Sequence, residues 1–173
     1  KGLEGLLREG DKTKMENLTE LCKIAYKYRT DKCPQINHAY TPYYYNLLKD
    51  RKYTIKKVLE MGIGCPKTMR YTTNYQTGAS LFTWRDFFPN AQIYGADKLA
   101  ECMLEADRIK TFICDETKKE DLYDLIKKTG SDIDLFIDDG IHRTTAQAFL
   151  CKTVMPLLKK EVIYIIEEVG RTV

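Results

Sequence analysis

Two aspartates, a glycine and a histidine crowd together in Ile137-Asp138-Asp139-Gly140-Ile141-His142. The stretch follows Asp134-Leu135-Phe136, an apolar run with the look of a buried parallel strand. Open α/β sheets bind their ligands at the carboxyl ends of such strands. The next strand-like run, Val162 to Ile166, ends in Glu167-Glu168. Two neighbouring strands therefore bring four carboxylates and one imidazole to a single edge. Carboxylate oxygens suit a hard divalent cation; such a cation lowers the pKa of a bound hydroxyl while a nearby base removes its proton. Asp139, Glu167 and Glu168 are the expected metal ligands. His142 is the expected general base, so Asp139 and His142 together are the catalytic candidates. Asp138 either contacts a cofactor or braces the loop. The plainer alternative is an Asp-Gly turn beside a solvated strand end.

A second group lies earlier in the chain. Glu60-Met61-Gly62-Ile63-Gly64 closes another apolar run and has the glycines a tight turn needs. It is not G-x-G-x-x-G and no P-loop lysine follows, so a pyrophosphate is less favoured than a small nucleoside carrying an amino acid. S-adenosylmethionine is such a ligand. It requires close backbone approach, at Gly62 and Gly64, and an acid at the end of the second strand for its ribose hydroxyls, where Asp97 stands. Asp115, ending the third strand, is placed to accept from the adenine amino group, and Leu99 to cover the adenine. Methyl transfer from a sulfonium is an in-line displacement, which is why the acceptor must be held and activated nearby.

Placing these groups together demands strands alternating with helices. Apolar positions Leu18, Leu21, Cys22, Ala25 and Tyr28 predict a first helix, and Pro42 to Asp50 a second. Strands are expected over Ile55 to Met61, Ala91 to Ala96, Ile109 to Cys114, Ile133 to Ile137 and Glu161 to Ile166. Between them lie helices from Ser80, taken as an N-cap, to Pro89, from Glu120 to Lys128, and from Thr144 to Leu158. The fold class is α/β: a Rossmann-like, doubly wound, mostly parallel sheet with helices on both faces. Residues 1–50 are expected to form a helical arm and a cofactor-covering loop, and residues 51–173 the cofactor-binding core.

The 173 residues carry a net charge of +3, which implies no strong field for nucleic acid or a membrane. No apolar run is long enough to span a bilayer, and the six scattered cysteines form no C-x-x-C pair. They read as buried free thiols, and the location as cytoplasmic. Residues 1–14 are polar, with Met15 a candidate start. His38 reads equally as a loop histidine or a site residue, and the segment Cys65 to Thr77 as a solvated insert or a substrate lid.

Several blocks together resemble a known family. Tyr28-Arg29-Thr30-Asp31-Lys32 with His38 and Tyr40, Leu59 to Gly64, Gly78-Ala79-Ser80-Leu81, Trp84 to Pro89, Ile93 to Asp97, Ile137 to His142 and Ile166-Glu167-Glu168 are similar to class I S-adenosylmethionine-dependent O-methyltransferases of macrolide sugars, the demethylmacrocin and mycinamicin type. The resemblance implies magnesium on Asp139, Glu167 and Glu168, and His142 as base. It implies a cofactor pocket lined by Glu60, Gly62, Ser80, Asp97 and Asp115, with the Thr30-Asp31-Lys32 loop closing over it. It also implies two further strands beyond the fifth. Three positions depart from the family pattern: Arg29 where glycine is usual, Ile141 where a small residue is usual, and Glu168 where aspartate is usual. The expected acceptor is a hydroxyl of a sugar or glycosylated small molecule, with no nucleic acid and no membrane, and a homo-oligomer is compatible. The alternatives are a methyltransferase of nucleic acid or protein, and a catalytically silent S-adenosylmethionine-binding module.

Overall fold

The computed structural model of the protein describes residues 18–169. The expectation for residues 1–15 lies outside them. Helices α1 (Glu20–Tyr28) and α2 (Thr41–Leu48) come first. There follow β1 (Lys57–Met61), α3 (Ala79–Phe87), β2 (Gln92–Asp97), β3 (Glu105–Ala106), β4 (Ile109–Ile113), α4 (Lys119–Thr129), β5 (Leu135–Asp138), α5 (Thr144–Val154) and β6 (Ile163–Ile166). The strands form one sheet in the order β3-β4-β2-β1-β5-β6, parallel throughout except for the short β3 against β4. The chain winds outward from β1 through β2 to β4, then returns to lay β5 on the other side of β1. The switch point of this doubly wound sheet therefore lies between β1 and β5, and that is where such sheets open a ligand crevice.

Both faces of the sheet are covered, which is why its strands read as nearly continuous apolar runs. Val58, Ile93, Ile109, Leu135 and Ile137 pack with Leu21 of α1, Tyr44 and Leu48 of α2, and Trp84 and Phe87 of α3. Leu59, Met61, Ala96 and Phe136, the alternate positions, pack with Leu122 and Ile126 of α4 and Leu150 and Val154 of α5. Each aliphatic side chain so buried contributes roughly 1.5–3 kcal/mol. Helices α1 and α2 thus share a core with the sheet.

Local chemistry sets the helix ends. The Thr19 side chain accepts from the Cys22 N–H at 3.2 Å and caps α1, which stops at Arg29 in the left-handed region (φ 58). Ser80 is not the cap of α3: the cap is Gly78 (φ 73), and Ser80 lies inside the first turn. Helix α5 is shorter than its pattern, because Pro156 lacks an N–H and tightens residues Met155–Leu157 into a 3-10 turn. The two-residue β3 carries no alternation long enough to announce it. All six cysteines are free, five of them buried. Among the described residues no helix is long and apolar enough to cross a membrane.

Candidate active site

A cavity of about 570 Å³ opens at the carboxyl ends of the strands, over the switch point. Gly62, Gly64, Ser80, Asp97 and Leu99 form one side of it. Gly62 takes φ 90, and a Cβ there would overlap the carbonyl of Asp139, so the turn after β1 lies directly on the turn after β5. The Asp139 N–H donates to the Met61 carbonyl at 2.9 Å in the same contact. The Asp97 carboxylate binds the two strand ends together. Its Oδ2 accepts from the Ile63 and Gly64 N–H groups at 3.0 and 3.4 Å, and its Oδ1 from Leu99 at 2.9 Å. One lone pair of Oδ1 remains for the cavity.

Four expected cofactor residues do not line the cavity. Glu60 is fully buried behind it, accepting from Trp84 Nε1 at 2.9 Å; burial raises its carboxyl to about 7, against the pull of Lys32. Thr30 is buried as well. Asp138 lies beneath the cavity floor, where burial raises it to about 6, opposed by the Gly140 N–H. Its two oxygens have no hydrogen-bond partner among the described residues and it does not line the cavity, so the geometry shows neither a brace nor a ligand contact. Asp115 is spent on the turn before α4: its Oδ1 accepts from the Thr117 N–H and hydroxyl at 3.1 and 2.7 Å.

Glu116 stands where Asp115 was expected. It lines the cavity, is buried, accepts the Ile141 N–H through Oε1 and leaves Oε2 without a hydrogen-bond partner. Burial pushes its carboxyl up to about 7. The signal for it was the alternation past β4: Cys114 and Glu116 are buried, while Ile113 and Asp115 turn outward.

The acidic side of the cavity is held by cations of the chain itself. Lys32, its side chain 2% exposed, contacts Asp139 Oδ2 and lies 2.8 Å from Glu167 Oε2 and 3.3 Å from Glu60 Oε1. The Tyr44 hydroxyl donates to Glu167 Oε1. His142 bridges two carboxylates, Nε2 lying 3.0 Å from Asp139 Oδ1 and Nδ1 3.1 Å from Glu168 Oε2. His38 completes the chain of contacts at 2.9 Å from Glu168 Oε1. Burial favours the neutral form of Asp139, but Lys32 and His142 outweigh it and hold this carboxyl below its usual value. Glu167 is raised chiefly by burial. The structure thus brings together Lys32, His38, Asp139, His142, Glu167 and Glu168.

Does this arrangement fit a divalent cation? The donors are hard carboxylate oxygens, as magnesium prefers. A positive group, the Lys32 ammonium, already sits between Asp139 and Glu167 as a stand-in. Among the described residues, however, no three His, Cys, Asp or Glu side chains converge closely enough to hold a metal as they stand. The donor set fits in kind; the side chains must shift to bind.

The mouth is formed by two segments joined to each other. Thr68, Met69, Tyr71 and Tyr75 of the 65–77 stretch line the cavity. The Tyr71 hydroxyl donates to Asp31 Oδ2 at 3.0 Å and Arg29 Nε to the Thr73 carbonyl at 3.1 Å. The stretch is a wall of the site rather than a solvated insert.

No protein-family model matches the sequence. Over 149 residues, 86% of this chain, it is 30% identical to mycinamicin VI 2''-O-methyltransferase of Micromonospora griseorubida, covering 36% of that protein. It is 29% identical to demethylmacrocin O-methyltransferase of Streptomyces fradiae over the same share of each chain. The chain is similar to macrolide-sugar O-methyltransferases. The structure of the MycE methyltransferase from the mycinamycin biosynthetic pathway, in complex with Mg and SAH, superposes with a TM-score of 0.75 at 30% identity, covering 86% of this chain and 39% of that one. This chain spans little more than a third of the length of the curated relatives it matches.

The three positions at which the resemblance implied other residues have visible settings. Arg29 and Glu168 both take left-handed backbone, φ 58 and φ 54. Glycine, or to a lesser degree aspartate, adopts that region more readily than either. Ile141 lines the cavity and gives its N–H to Glu116.

Proposed function

We propose that the protein is an S-adenosylmethionine-dependent, magnesium-assisted O-methyltransferase acting on a hydroxyl of a sugar or glycosylated small molecule. The observation that supports it most is that the Gly62–Asp97 side and the Asp139–His142–Glu168 side open into one cavity. In this reading Gly62 and Gly64 admit the cofactor's close approach, Asp97 takes the ribose hydroxyls, Leu99 covers the adenine and Ser80 lines the pocket. Glu116, not Asp115, accepts from the adenine amino group. Asp139, Glu167 and Glu168 hold the cation, and Glu60 braces Lys32 from behind, with Asp138 buried beside them. Residues up to about 50, through Asp31 and Lys32, cover the cofactor, and the rest forms the binding core.

When bound, the cofactor supplies a sulfonium methyl group and the cation the Lewis acidity that makes a sugar hydroxyl acidic. The chain does the remainder. Asp139 and Glu168 orient His142, which takes the hydroxyl proton once one of its nitrogens turns to the cavity. Tyr71 and Tyr75 exclude water at the mouth.

The test is release of S-adenosylhomocysteine from S-adenosylmethionine and a glycosylated macrolide, with and without a chelator. Turnover is expected to need magnesium, and Asp139→Ala to lose magnesium binding. Turnover indifferent to the chelator, or undiminished magnesium binding in Asp139→Ala, would count against the mechanism. Methylation of nucleic acid or protein instead, or cofactor binding without any turnover, would favour the other readings.

A further inference from the structure

Lys32 is buried to 2% exposure yet belongs to the cavity wall. A lysine ammonium has three N–H groups, and three carboxylates surround this one: Asp139, Glu167 and Glu60. Asp139 and Glu167 take hydrogen bonds from it and Glu60 pairs with its charge at 3.3 Å, so it is committed to the protein rather than to a ligand in the cavity. Nor can it leave cheaply, because Glu60 and Glu167 would remain buried without a counter-charge. Two of the three, Asp139 and Glu167, are the residues proposed above to hold a divalent cation. A cation there would take over the charge that Lys32 now neutralises on those two, and only Glu60 would still hold the ammonium back.

We infer that Lys32 is a built-in counter-cation which a divalent ion displaces, and that the displaced ammonium turns into the cavity to hold the carboxylate of an amino-acid-bearing nucleoside. The inference rests on the reading of the cavity as a magnesium and S-adenosylmethionine site. It makes the two ligands mutually dependent. Without the cation, Lys32 is committed to the protein's own carboxylates, so the nucleoside binds weakly. Without the nucleoside, Lys32 competes with the cation for Asp139 and Glu167, so the cation binds weakly. Linkage requires the two effects to be equal. Glu60 belongs to the same device. It lies 3.3 Å from the ammonium but outside the proposed cation set, and it anchors Lys32 from behind.

Calorimetric titration of the chain with S-adenosylhomocysteine, with and without magnesium chloride, tests this, together with the reciprocal titration of magnesium. In the native chain magnesium is expected to tighten S-adenosylhomocysteine on the order of ten-fold, and S-adenosylhomocysteine to tighten magnesium by the same factor. Lys32→Met is expected to abolish that coupling and to bind magnesium alone more tightly than the native chain does. Since Lys32→Met strands the buried carboxylates of Glu60 and Glu167 and can fail to fold, Glu60→Gln provides the second arm. It loosens one anchor while keeping the ammonium, so it is expected to tighten S-adenosylhomocysteine in the absence of magnesium and to shrink the coupling. Independent binding of the two ligands in the native chain overturns the inference, as does undiminished coupling in either variant. If the native chain binds neither ligand, the reading of the cavity fails and takes the inference with it.

Discussion

His38 Nε2 lies 2.9 Å from Glu168 Oε1, and its ring stacks on Tyr40 with centroids 4.9 Å apart. The contact joins the loop before α2 to the end of β6, and it commits one oxygen of Glu168 to a histidine on the N-terminal side. The other oxygen lies 3.1 Å from His142. Glu168 therefore spans two imidazoles, a reach that aspartate lacks.

Glu168→Asp is expected to let go of one histidine and to leave a carboxylate oxygen for the cation. Magnesium affinity should rise on the order of ten-fold, about 1.4 kcal/mol, as an oxygen now committed to an imidazole turns to the cation. The left-handed backbone at this position (φ 54) suits aspartate better, so Tm should not fall. Calorimetry and a thermal melt check both; weaker magnesium binding would mean that the longer side chain is the fitted one.

His142→Ala removes the imidazole but leaves the nucleoside side of the cavity intact. Affinity for S-adenosylhomocysteine should stay within about two-fold while kcat falls by roughly 10²–10⁴, the usual worth of a positioned base. A parallel loss of affinity would make His142 a positioning residue instead.

Glu116 gives a pH signature. Burial raises its carboxyl from 4.5 to about 7, so the folded protein holds this proton more tightly than the unfolded chain. Stability from this group is fully present below the unfolded value and is lost as pH rises through about 7. Glu116→Gln keeps an acceptor for the Ile141 N–H and deletes the titration. It should match the native chain near pH 4 and exceed it at pH 8 by on the order of 3 kcal/mol, read by denaturant unfolding. The same variant should bind S-adenosylhomocysteine about ten-fold more weakly, the value of one hydrogen bond to a charged group. Asp115→Asn should leave that affinity alone.

Arg29 carries its left-handed conformation at the end of α1 against the preference of any residue with a Cβ. Arg29→Gly should stabilise the fold by roughly 1 kcal/mol, or about 2–4 °C in Tm, less the bond that Arg29 Nε makes to Thr73. A lower Tm would show that this bond outweighs the backbone strain.

Much of this architecture could be read in advance because strand ends repeat a pattern. Gly62, Asp97 and Asp139 each follow an apolar run, and a parallel sheet must place such residues on one edge. What sequence did not disclose is contact between distant segments. Lys32 is 107 residues from Asp139 and 135 from Glu167, and no spacing rule links them. Glu116 was not legible, for a local reason. The strand end draws attention to Asp115, whose short side chain bonds the following turn, while Glu116, two beyond Cys114, shares the inward side.

The backbone contact at Gly62 has a consequence for how the activity could diversify. The turns after β1 and β5 meet there main chain to main chain, with no side chain between them to be lengthened or trimmed. In the proposed reading these turns carry the donor side and the acceptor side, so the spacing between them is set by backbone rather than by any one side chain. A new acceptor would then be accommodated at the rim, in residues 29–40 and 65–77, where loops can lengthen without disturbing the hub.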